Sequence, residues 1–181
     1  DMMGFRFGVT YHQDSGDKDG AKQVANATPA NAANGDKKNG RYDSFHYDQK
    51  KYAAETGLIG WGNLTAIGLD AAIAPIEDTT VGLKYVMFSR TSDKDTPNST
   101  ISHTPYTGTA ELGTGTNTEK ALGTELSLTA DHKYSDGFNI GFRYSMFDPG
   151  AYFKKSKSDT ADTEVKRDSV SQWSLQARYQ F

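Results

Sequence analysis

Apolar and polar residues alternate one for one over six stretches of this chain. In WSLQARYQF, Trp173, Leu175, Ala177, Tyr179 and Phe181 fall on one side and Ser174, Gln176, Arg178 and Gln180 on the other. Successive strand side chains point to opposite faces of a sheet, so a period of two reads as a strand with one greasy and one polar face. DGFNIGFRYSMF sets Phe138, Ile140, Phe142, Tyr144 and Met146 against Asn139, Gly141, Arg143 and Ser145. GTELSLTADHKY sets Leu126, Leu128, Ala130 and Tyr134 against Glu125, Ser127, Thr129 and Asp131. VGLKYVMF, AIGLDAAIAP and MMGFRFGVTYH repeat the pattern around Leu83, Leu69 and Phe7. Each stretch is about ten residues long, which is what a tilted strand needs to cross a bilayer.

The links between these strands alternate in length. PIEDT after Ala74 and SDG after Tyr134 are short turns. The other three links, about residues 13–62, 91–120 and 149–168, are long and polar. Long loops on one side and short turns on the other are the habit of outer-membrane barrels. A soluble antiparallel sandwich with one wet face is the competing reading, and it has no need of that regularity.

Composition at first argues against a membrane. Only 35% of residues are hydrophobic, mean hydropathy is well below zero, and no apolar run is long enough for a spanning helix. A barrel wall removes the conflict, because half of every strand faces water. In hydrocarbon an unpaired backbone amide is costly, so a spanning sheet must close on itself. The expected fold class is therefore an all-β, antiparallel transmembrane β-barrel of the outer-membrane type. Residues 1–181 would supply about six strands of it. Six are fewer than the smallest usual barrels contain. The chain opens within a strand at DMMGFRF, so further strands are expected upstream, with other chains completing the sheet as the alternative. Residues 45–61 supplying two more strands is a further option.

The remaining composition narrows the function. A net charge of −3 gives no field for nucleic acid. The chain has no Cys, which removes thiolate chemistry, disulfides and thiolate metal sites. His12, His46, His103 and His132 are scattered, and no nucleophile or phosphate-loop motif stands in the right setting, so no enzyme and no cofactor are expected. DSGDKDG misses the calcium-loop spacing. The Lys-rich stretch from Lys154 to Asp168 reads either as a lipopolysaccharide contact or as a solvated loop. An apolar patch from Gly57 to Trp61 either folds inward and narrows the bore or forms the top of the second strand. We read residues 13–52 as lying outside, followed by descent into the wall.

Candidate site residues are the charges on the polar face: Arg6, Lys84, Arg143 and Arg178 against Asp70, Glu125 and Asp131. In a wet bore they would set solute selectivity. Paired across neighbouring strands, they would merely solvate the wall.

Two stretches resemble the alginate export family of outer-membrane porins. One is GLIGWGNLTAIGLDAAIAPIEDTTVGLKYVMF, carried by Gly60, Trp61, Asn63, Leu64 and Pro75. The other is LGTELSLTADHKYSDGFNIGFRYSMFDPGAYF, carried by Gly123, Thr124, Glu125, Phe147, Pro149 and Gly150. The resemblance covers most of the chain from Tyr42 onward and is to the C-terminal part of such barrels. It implies passive diffusion of small or polymeric anionic solutes such as uronates, in the bacterial outer membrane. Phe181 is similar to the terminal aromatic read by the barrel assembly machinery. That implies periplasmic short turns and extracellular long loops. A non-conducting structural or adhesive barrel acting through its loops is the alternative.

Overall fold

The computed structural model describes residues 4–14, 55–59, 63–93, 119–154 and 168–180. Six strands form one antiparallel sheet: β1 Gly4–Gln13, β2 Leu64–Ala74, β3 Thr79–Arg90, β4 Ala121–Ser135, β5 Phe138–Pro149 and β6 Val170–Tyr179. They lie side by side in chain order, each paired with its sequence neighbours. A single turn of helix, α1 Ala151–Lys154, follows β5. The all-β, antiparallel part of the sequence reading stands. Among the described residues the sheet is open, with β1 and β6 as its edges.

Register carries the alternation from strand to strand. Phe7, Ala71, Leu83, Leu128, Tyr144 and Trp173 are successive partners across all six strands. So are Phe5, Ile73, Val81, Ala130, Phe142 and Leu175. A one-residue slip at any pairing would send a whole strand's apolar set to the wrong face. The result is one continuous apolar face, and it is uncovered: Phe5 is 70% exposed and Trp173 72%. At its short-turn end His132, Tyr134, Phe138 and Tyr179 form a chain of ring contacts, with centroids 4.4, 5.9 and 6.5 Å apart. Beside that turn a hydrogen bond from Lys133 holds the Asp136 carboxyl below the usual carboxylate range.

The opposite face changes character along its length. Near the short turns it is polar. Near the long loops it carries the core: Ile59, Leu64, Ala66, Val86, Phe88, Leu122, Phe147, Tyr152 and Phe153 are all buried. Phe88 and Phe147 stand near strand ends, the place where barrel aromatics commonly form a membrane-interface girdle. Both instead point to the inner face, with rings 6.3 Å apart. Their position in the alternation, not their place along the strand, decides which way they point.

Two residues close the long-loop end. Asn63 has a φ of 53°, a conformation Asn tolerates well. Its side chain takes the Ser92 N–H at 2.7 Å and donates to the Ser92 carbonyl at 3.0 Å, tying the start of β2 to the exit of β3. Asn63→Ala leaves both Ser92 groups without those partners. It should cost about 1–2 kcal/mol in a denaturant melt, and an unchanged midpoint would show the tie to be dispensable. Gly123 has a φ of 140°, and a Cβ there would stand 2.3 Å from the Asp148 carbonyl, so only glycine fits.

Candidate functional site

All seven candidate charges lie on the inner face, but in different circumstances. Arg143 and Asp131 sit on adjacent strands, and the two terminal guanidinium nitrogens donate to the two carboxylate oxygens at 2.9 and 3.2 Å. The fork matches the carboxylate plane, which Lys could not do. Gly141 is the register partner of Asp131, and a Cβ there would stand 2.7 Å from the carboxylate. Its glycine leaves room for the pair.

Arg6, Lys84 and Arg178 make no ion pair with a described residue, and neither does Asp70. Lys84 and Asp70 are register partners, yet no bond forms between them. Of the seven candidates, three cations and one carboxylate thus lack an ion partner among the described residues, and the carboxylates of Asp78, in the cavity lining, and Glu55, near Arg143, add two acids on the same side. Arg178 faces Asn139 across the β5–β6 pairing. With Lys133, Asp131, Arg143 and Gln176 they line a cavity of about 440 Å³ at the short-turn end. Guanidinium and carboxamide groups side by side can hold a carboxylate and neighbouring hydroxyls. No group of three His, Cys, Asp or Glu suited to a metal occurs among the described residues.

Glu125 differs from the other six. It is 2% exposed, beneath residues 55 and 56. It does not line an open wall as the sequence suggests. Residues 55–59, a turn ending in a bridge at Ile59, lie on the inner side of β4 and β6. Of the two readings of the Gly57–Trp61 patch, folding inward describes its visible part; Gly60 and Trp61 lie outside the described residues, as do most of residues 13–62, the Lys-rich stretch beyond Lys154, and Phe181.

The motif residues also gather in one place. Asn63, Leu64, Gly123, Glu125, Phe147, Pro149 and Gly150 all lie at the long-loop end of β2 to β5. Gly150 donates to the Leu122 carbonyl at 2.8 Å, which folds α1 back over β4. A family model described as alginate export matches residues 5–166 of the chain. The chain belongs to the alginate export family. Comparison with curated proteins returns no match. Alginate export proteins are proteins of the outer membrane. In this alginate export chain no described helix is long and apolar enough to cross a membrane.

Sequence reasoning missed Ser127, Ser145, Gln172 and Arg90. Ser127 and Ser145 are buried and linked to Glu125 by hydrogen bonds of 3.0 Å. Arg90 is buried, bonds the Glu119 and Asp93 carbonyls and stacks 4.5 Å over the Tyr152 ring. One signal was present: Val86, Phe88 and Phe147 break the polar side of the alternation beside Glu125, marking a dry stretch of wall.

Proposed function

We propose that this chain is part of the wall of a closed outer-membrane barrel with a water-filled bore, which passes anionic solutes by passive diffusion and performs no chemistry. One observation carries the reading: an uncovered, register-matched apolar face lies back to back with a face bearing unpaired Arg6, Lys84 and Arg178. Lipid is the solvent that suits the first face and water the second. The edges of β1 and β6 cannot face hydrocarbon unpaired, so further strands or chains would complete the cylinder. Short turns would face the periplasm and long loops the exterior, beside lipopolysaccharide. Phe181 would be the residue the barrel assembly machinery reads.

The solute class follows from the family and from the amide and guanidinium groups at the short-turn end. Uronate polymers present carboxylates at intervals, which unpaired cations attract and planar Arg groups grip. Reconstituted in planar bilayers, the full-length protein should pass anions in preference to cations. Oligouronates should block that current more strongly than neutral oligosaccharides of equal length. Folded insertion with no current at any voltage would instead favour a structural or adhesive barrel acting through its loops.

A further inference from the structure

We propose that residues 55–59 form a strap, latched across the inner wall by the Glu125 carboxylate, that narrows the bore. This rests on the channel reading and adds a constriction to it. Glu125 accepts the Glu55 N–H at 2.6 Å, the Thr56 N–H at 3.3 Å and the Thr56 hydroxyl. Ser127 Oγ donates a fourth bond at 3.0 Å. A buried carboxylate is costly unless donors replace its water. Four donors do so here, three of them from the strap.

A second tether holds the same segment. Gln172 Nε2, on β6, donates to the Glu55 carbonyl at 2.6 Å. Glu55 therefore reaches from β4 to β6 over β5, a span of about 10 Å at ordinary strand spacing. The far end of the strap is fixed by apolar contact: Ile59 is 1% exposed within the core that includes Leu64, Val86, Phe88 and Phe147. Irregular backbone at membrane depth is tolerated where protein or bore water satisfies it, and this segment has the wall on one side. The latch has a second effect. Without the strap, Glu125 would be another carboxylate facing anions in the bore. Beneath it, that charge is capped, and the acid on this side becomes the strap's own Glu55, which stands within electrostatic reach of Arg143.

The test uses full-length protein folded into vesicles. The chain has no Cys, so Leu58→Cys places one thiol in the strap. With Glu125 intact, a bulky maleimide should react slowly. With Glu125→Ala the rate should rise about tenfold or more, as three strap bonds to the carboxylate are lost. Single-channel conductance should rise in the same variant. An unchanged alkylation rate in folded Glu125→Ala overturns the latch. Faster alkylation with unchanged conductance overturns the narrowing. Silence from wild type and variant alike removes the channel reading and the narrowing with it, while alkylation still reads the latch. Should Glu125→Ala fail to fold, Glu125→Gln keeps the side-chain volume but turns one acceptor into a donor, and carries the same comparison.

Discussion

Leu128→Arg should destabilise the vesicle-inserted protein by about 2–4 kcal/mol, the cost of a cation at the middle of a barrel's lipid face. Leu128 stands in the row running from Phe7 to Trp173, midway along β4 and with apolar partners on both sides. An Arg there has no water and no carboxylate within the row. Its nearest relief is to stretch toward a membrane surface, which is farthest from mid-strand. Thr80→Arg is the control. Thr80 lies on the opposite face, at the short-turn end and exposed, so the added charge stays solvated and should change stability by less than about 0.5 kcal/mol. Urea titration of the folded protein in vesicles measures both. Equal effects of the two substitutions would mean that the apolar face does not meet lipid.

Reversing Arg6, Lys84 and Arg178 together to Glu should turn an anion-preferring pore into a cation-preferring one. These three are the candidate cations without an ion partner among the described residues, and Asp70 is the candidate acid without one. The sign of the reversal potential across a salt gradient should flip. The measurement belongs at low salt, since screening at physiological strength shortens the reach of exposed charges to about 8 Å. Arg143→Ala should shift the potential in the same direction but less, because it frees one carboxylate from the Arg143–Asp131 pair and adds no further acid. A reversal potential unmoved by the triple change would remove these residues from solute selection.

Much of the wall was legible in the chain before its structure. Alternation at Phe138 to Met146 fixes which residues share a face, because the pleat allows nothing else. The same rule limits register to even shifts, since a one-residue slip would put Arg143 in oil; the choice among those comes from the fold. Apolar Val86, Phe88 and Phe147 on the polar side hint that part of the inner face is dry, but alternation cannot convey what covers it. Glu125 and Asp131 are both acidic residues on the inner side of β4. One is covered by a segment far away in sequence, and the other pairs with a neighbour two positions off register. Only the folded path of residues 55–59 separates them. Phe88 and Phe147 have an inner role that their own strands do not explain, because the core they join includes Ile59 and Tyr152, which come from outside those strands.

The uneven links have a kinetic consequence. β2 joins β3, and β4 joins β5, through turns of a few residues, so each pair can zip as a local hairpin on a microsecond scale. The other pairings must close long loops first, at an entropy cost that rises only logarithmically with loop length. Assembly is then a matter of docking two ready-made ribbons, flanked by β1 and β6, rather than of adding strands one by one.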